Sequence, residues 1–199
     1  MGTQLVVEQI DAFTLQRCRE NDSAAQRRVF EHYKDQVYSI AAEFLKGDES
    51  AAKDVTQEVF VKVFRGLPSF RQEARFSTWL YRIVTNACMD EVRRGRRLVF
   101  YADLPRHMHP TTEPTEPSEA DGSVRQVLAR LSPKLRMVVL LRYFEDLSYE
   151  EIADATGVTA GTVASRLNRA HKHLGNALRT LRTSRVVTPP ADAVRGRGQ

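Results

Sequence analysis

Residues 148–174 read SYEEIADATGVTAGTVASRLNRAHKHL, and the charge of this stretch divides at Gly157. The acids Glu150, Glu151 and Asp154 precede the glycine; the bases Arg166, Arg169 and Lys172 follow it, with no acid among them. Ser148 followed by Glu151 has the spacing of a capping box, in which hydroxyl and carboxylate each take a backbone N–H left over at a helix start. Ile152 and Ala153 give that helix an apolar face. It should close near Thr156, because Gly157 adopts the left-handed conformation without penalty. Thr159 can cap a second helix that turns Val163, Leu167, Ala170 and Leu174 to one side. Two helices about a tight glycine turn make a helix-turn-helix. In that motif the second helix enters the major groove and the first crosses the backbone. The outward face of the second helix would carry Ser165, Arg166, Asn168, Arg169 and Lys172, which can donate to phosphates and base edges. A surface hairpin with a basic outer face is the plainer alternative. The capping box, the turn and the acid-free second helix together weigh against it.

The wider charge pattern points the same way. Acids and bases balance through residue 95, whereas residues 123–199 hold 13 bases against 6 acids. That excess sits where the helix-turn-helix lies and favours a polyanionic partner. The 42% hydrophobic fraction is enough for packed cores in a chain of 199 residues, which suggests one or two domains. No apolar run approaches the ~20 residues of a membrane span. The start MGTQLVVEQIDAF lacks the basic region and apolar core of a signal peptide. Cys18 and Cys88 have no metal-ligand spacing and read as free thiols of a reducing cytoplasm.

Upstream the periodicity is helical throughout, with no alternation long enough for a strand. Residues 24–46 space Val29, Phe30, Tyr33, Val37, Ile40, Ala41 and Phe44 three or four apart. Residues 49–66 do so with Val55, Val59, Phe60, Val63 and Phe64, and residues 76–94 with Phe76, Trp79, Leu80, Ile83, Val84 and Ala87. A short helix over 10–20 completes a first unit. Residues 98–122 contain four prolines and read as an extended or disordered linker. Helices resume at Val124–Leu131, and Ser132 followed by Pro133 reads as an N-cap opening the next. The fold class is therefore all-α: two small helical domains, 1–97 and 123–183, joined by a linker at 98–122. A disordered tail is expected over 184–199.

The stretch DVTQEVFVKVFRGLPSFRQEARFSTWLYRIVTNACMDEVRR at 54–94, followed by linker and helix-turn-helix, resembles the bacterial sigma-70 family. The small size and short linker are similar to its extracytoplasmic-function group. The resemblance covers nearly all of residues 10–182. It implies a factor that acts with core RNA polymerase on promoter DNA. The first domain would bind the polymerase clamp and melt the −10 element; the second would read the −35 element. Matched positions imply polymerase contacts at Asp54, Gln57, Glu58 and Val61. By spacing alone those residues are an outer polar stripe, which a solvated face would explain as well.

On the third helix Tyr81, Arg82, Thr85, Asn86 and Met89 lie off the apolar stripe. Aromatic, amide and basic groups on one helix suit single-stranded DNA, since base stacking on an aromatic ring is worth roughly 1–3 kcal/mol. The resemblance implies that the loop Ser69–Arg75 and this helix, including Asn86, take an extruded base, with Arg93, Arg94, Arg96 and Arg97 on phosphates. Tyr81 could stack on a base or pack inwards; Trp79 belongs to the core stripe. In the recognition helix the matched positions add Thr162 and Ala164 to Ser165, Arg166, Asn168, Arg169 and Lys172. Arg166 and Arg169 are the first candidates for base readout.

A relaxed coil as long as the 25 residues from Leu98 to Gly122 spans about 28 Å. Elements a turn and a half of duplex apart lie on the order of 50 Å from each other. Polymerase would have to hold the two domains open, and the free chain should bind promoter duplex weakly. The linker acids could mimic nucleic acid in a basic channel, or the segment could be a passive tether.

A stand-alone helix-turn-helix regulator would account for residues 123–182 but leaves Asp54–Arg94 without a task. Enzyme chemistry has little support. His107 with His109, and His171 with His173, lack helical ligand spacing and further ligands, and no phosphate-cradling loop or nucleophile elbow occurs. No cofactor or metal is expected. The resemblance also implies an anti-sigma protein covering the polymerase-binding faces, and a cytoplasmic location at which such a partner could hold the chain to the membrane.

Overall fold

Aspartate starts each of the first three helices. Asp11 accepts the Thr14 N–H at 2.7 Å to open α1 (Ala12–Arg19). Asp22 accepts those of Ala24 and Ala25 at 2.8 and 3.0 Å to open α2 (Ser23–Phe44). Asp48 accepts that of Ala51 at 2.9 Å to open α3 (Glu49–Gly66). Each satisfies N–H groups that the helix itself cannot pair. A single 3-10 turn, Leu67–Ser69, leads towards α4 (Phe76–Tyr101). The second unit comprises α5 (Glu119–Arg130), α6 (Pro133–Tyr143), α7 (Tyr149–Thr156) and α8 (Ala160–Val186). The computed structural model describes residues 10–70, 75–101 and 119–186, with the side chains of 96–101, 119–123, 178, 180 and 181–186 outside the description. Among the described residues there is no strand.

The apolar stripes meet as their spacing requires. Val29, Val37, Ile40 and Phe44 of α2 pack on Val55, Val59 and Val63 of α3 and on Leu80, Val84 and Cys88 of α4. Trp79 lies half-buried against Phe70, with ring centroids 5.0 Å apart, and against Phe76 at 5.7 Å. Gly66 makes room for it: a Cβ there would stand 3.1 Å from the indole Cζ2. In the second unit Val138, Leu140 and Leu141 of α6 meet Ile152 of α7 and Val163, Leu167 and Ala170 of α8.

The two units share one continuous core. α4 lies along α7, and α2 along α5 and α6. Arg136 of α6 is 2% exposed and spans the junction. It donates to the carbonyls of Leu128, Ala129 and Leu131 at the end of α5, and to that of Phe44 at the end of α2. One guanidinium thus satisfies orphan acceptors of two helix C-termini, where positive charge is also favoured by the helix dipole.

Helix ends depart from the sequence reading in three places. α4 runs through Tyr101, so residues 98–101 of the expected linker are helical. The stretch from Arg93 to Tyr101 holds one glycine, no proline and four arginines, which are good helix formers. α5 starts at Glu119, earlier than Val124, and α8 continues to Val186, past the expected end at 183. The rest of the expected linker (102–118), with His107 and His109, lies outside the described residues, as do loop residues 71–74 and tail residues 187–199. Ser132 occupies the N-cap position before Pro133, but its hydroxyl makes no capping bond.

Candidate polymerase and nucleic-acid interfaces

The helix-turn-helix forms as its residues demand. The Ser148 Oγ accepts the Glu151 N–H at 3.2 Å, and the Glu151 carboxylate accepts the Ser148 N–H at 2.9 Å. The Ser148 N–H, together with the Ser148 hydroxyl donating to the same carboxylate at 2.9 Å, holds the Glu151 carboxyl below its usual range. Gly157 closes α7 at φ +66°, and the Thr159 hydroxyl accepts the Thr162 N–H at 3.3 Å to open α8. Val163, Leu167 and Ala170 are buried, with Leu174 packed against the same core. Ser165, Asn168, Arg169 and Lys172 are exposed, while Thr162, Ala164 and Arg166 are half-buried. Arg169 folds back on its helix, donating from Nε to the Ser165 carbonyl at 3.3 Å. Among the described residues, Arg166, Arg169 and Lys172 have no acid within ion-pair distance. His171 shares a 2.7 Å hydrogen bond with the Tyr143 hydroxyl.

On α3, Asp54, Gln57 and Val61 are exposed and Glu58 is half-buried. Val61 is 48% exposed, an aliphatic side chain in an otherwise polar stripe. Glu58 pairs with Lys62 at 2.7 Å and with Arg94 of α4 at 3.6 Å. The hydrogen bond from Lys62 and the two cations hold its carboxyl below the usual range.

On α4 the expected DNA-facing residues divide between two sides. Arg82, Asn86, Arg93 and Arg94 are exposed, and Met89 is half-buried against the core. Arg93 pairs with Asp90 at 2.9 Å and Arg94 with Glu91 at 2.7 Å. Tyr81 and Thr85, a turn apart, are buried at 3% and 5% exposure. This corrects the placement of both off the buried stripe. The periodicity of α4 locates only the stripe that faces its own unit; α7 covers a second side. The Tyr81 hydroxyl donates to Glu145 Oε2 at 2.5 Å, and Gln36 Nε2 donates to the same oxygen. Burial, the Glu145 charge and this bond push the Tyr81 phenol far up. Burial likewise raises the Glu145 carboxyl, against the two hydrogen bonds it accepts. Thr85 Oγ1 and Gln36 Oε1 are buried without a hydrogen-bond partner. Arg75 pairs with Glu151 at 3.4 Å across the same junction. Gln36, Arg136 and Glu145 carry no motif that distinguishes them in the sequence.

Comparison with known proteins fits this geometry. The family model for sigma-70 region 2 matches residues 29–98, and that for sigma-70 region 4 matches residues 121–174. The RNA polymerase sigma-H factor of Pseudomonas aeruginosa is 32% identical over 190 residues, spanning 89% of this chain and 98% of the relative. The chain belongs to the extracytoplasmic-function sigma factors of the sigma-70 family. The Bacillus subtilis factor SigW is 29% identical over 84% of this sigma factor and 96% of its own length. Solved structures share the fold. CnrH in complex with the cytosolic domain of CnrY matches with TM-score 0.64 at 22% identity, over 84% of this chain and 96% of that one. The Bartonella quintana sigma factor RpoE in complex with the anti-sigma factor NepR matches with the same TM-score and identity, over 77% and 96%. The protein is thus an RNA polymerase sigma factor, a DNA-binding initiation factor and not a catalyst in itself. No described helix is long and apolar enough to cross a membrane.

Proposed function

We propose that this sigma factor divides promoter work among three faces. The α3 stripe of Asp54, Gln57, Glu58 and Val61 docks on core polymerase, with exposed Val61 as its apolar contact. Arg82, Asn86, Met89, Arg93 and Arg94, with Tyr81 and Thr85 once accessible, engage the melted −10 strand. Thr162, Ala164, Ser165, Arg166, Asn168, Arg169 and Lys172 meet the −35 duplex. The observation that carries the reading is the set of cations on the outer face of α8. Among the described residues, Arg166, Arg169 and Lys172 have no acidic partner. Cations without internal partners are available to phosphates and guanine edges.

The working division is residues 1–97 for polymerase and −10 DNA, 98–122 as linker, 123–183 for −35 DNA, and 184–199 as a tail. A cytoplasmic site of action follows from work on polymerase. An anti-sigma protein, as bound to the structurally similar Bartonella factor, is the proposed antagonist. The test is transcription by core polymerase with the purified chain on a promoter library. Replacing Asn86 with Ala should leave polymerase binding intact and impair promoter opening. Equal loss of both would refute the assignment of this face.

A further inference from the structure

Residues 29–98 match sigma-70 region 2, and α1 (Ala12–Arg19) lies upstream of that match. Its last residue reaches 51 positions along the chain. Arg19 Nη2 donates to the Phe70 carbonyl at 2.6 Å, and the guanidinium stands 5.9 Å from the Phe70 ring centroid. Phe70 in turn packs on Phe76 and Trp79 in the first turn of α4. We propose that Arg19 is a positioning residue for promoter opening: acting through Phe70, it fixes the start of α4 and so the aim of Arg82 and Asn86 at the melted strand. The inference rests on the −10 reading above.

Three features carry it. The first is spacing. Arg82 and Asn86 stand three and seven residues after Trp79, so the three share one side of α4. Trp79 is half-buried there, and Arg82 and Asn86 are exposed. Displacing the indole therefore displaces the turns that carry them. The second is the tightness of the seat. Phe70 is 6% exposed, with its ring centroid 5.0 Å from that of Trp79 and 5.8 Å from that of Phe76. Gly66 closes on the indole from the other side, where a Cβ would stand 3.1 Å from it. A close-packed cluster transmits a shift instead of absorbing it. The third is the choice of side chain. Arg19 Nε is buried without a hydrogen-bond partner, which costs stability. Methionine would hold α1 to the core without that cost. What the guanidinium adds is a donor for one carbonyl and a flat cation over one ring, which together fix Phe70 in position and tilt.

The test uses holoenzyme assembled from core polymerase and the full chain. Arg19→Met keeps the aliphatic packing and removes every donor; Arg19→Lys restores a donor without the flat cation. Asp11→Ala loosens α1 at its other end, by removing the acceptor for the Thr14 N–H, and leaves the Arg19–Phe70 contact in place. Opening is read with a fluorescent base analogue on promoters varied at the −10 element behind one −35 sequence. Circular dichroism checks that each chain folds. Arg19→Met should form holoenzyme like wild type and lose about tenfold in −10 selectivity, the scale of one hydrogen bond to a charged group. Arg19→Lys should fall between the two, and Asp11→Ala should match wild type. Arg19→Met as selective as wild type, Arg19→Lys outside that interval, or an equal loss in Asp11→Ala would each overturn the positioning role. Asn86→Ala locates the fault: unimpaired opening there means that the −10 reading itself fails, whereas impaired opening there with full selectivity in Arg19→Met sinks the role of Arg19 alone.

Discussion

Arg136 offers the sharpest test of how the two units are joined. Its guanidinium is 2% exposed and donates to four carbonyls. It also stands 5.8 Å from the Phe44 ring centroid. Hydrogen bonds to a charged group contribute about 1.5–3 kcal/mol each, so four would give a gross of roughly 6–12 kcal/mol. Removing the guanidinium from water offsets several kcal/mol of that. Of the carbonyls left behind in Arg136→Ala, that of Leu128 keeps the Leu131 N–H at 3.0 Å while the others lose the guanidinium, which brings the expected destabilisation to about 3–5 kcal/mol. Total stabilities of domains are only about 5–15 kcal/mol, so the loss should be plain. Arg136→Lys should recover only part of it, since an ammonium cannot span four acceptors with the planar fork. Urea unfolding of the full chain, followed by far-ultraviolet circular dichroism, gives midpoint and slope. A loss below about 1 kcal/mol, or a lysine variant equal to wild type, would refute the reasoning. Either result would mean that the buried bonds contribute no more than a surface ion pair.

Replacing Arg169 with Ala should reduce −35-dependent transcription and relax base choice there by about 1–3 kcal/mol of discrimination, read by run-off transcription on a −35 library; unchanged selectivity would move readout to Arg166. Ser148→Ala removes the acceptor for the Glu151 N–H and should cost about 1 kcal/mol in urea unfolding. Burial raises the Glu145 carboxyl in the folded chain, which therefore binds a proton there more readily than the unfolded chain does. The contribution of Glu145 to stability is therefore fullest at low pH and declines as pH rises through the raised value. The urea midpoint of wild type should gain on that of Glu145→Gln on acidification from neutral towards about pH 5.5; an equal response in both would contradict this.

Much of this was readable because its causes are local. Ser148, Glu151 and Gly157 are sufficient for the turn, and the periodicities of α2, α3 and α4 place each unit's own core. The outward set on α8 follows from the positions of Val163, Leu167 and Ala170. The misplacement of Tyr81 has a non-local cause: its hydroxyl meets Glu145, 64 residues away, and one helix period cannot register two burial partners. Arg136 was hidden for a related reason. An arginine within an apolar helix looks like a surface interruption until the ends of two other helices converge on it. Glu145, in a short turn between α6 and α7, has no pattern to announce that its oxygen meets Tyr81 and Gln36.

Promoter-directed run-off transcription is the most direct measure of the whole account, using core polymerase with and without the purified chain on a library of duplex promoters. The account predicts that the chain binds core polymerase and creates starts at a defined set of sequences with both −35 and −10 elements, absent from core polymerase alone. A chain that neither associates with core polymerase nor changes where RNA begins would contradict it.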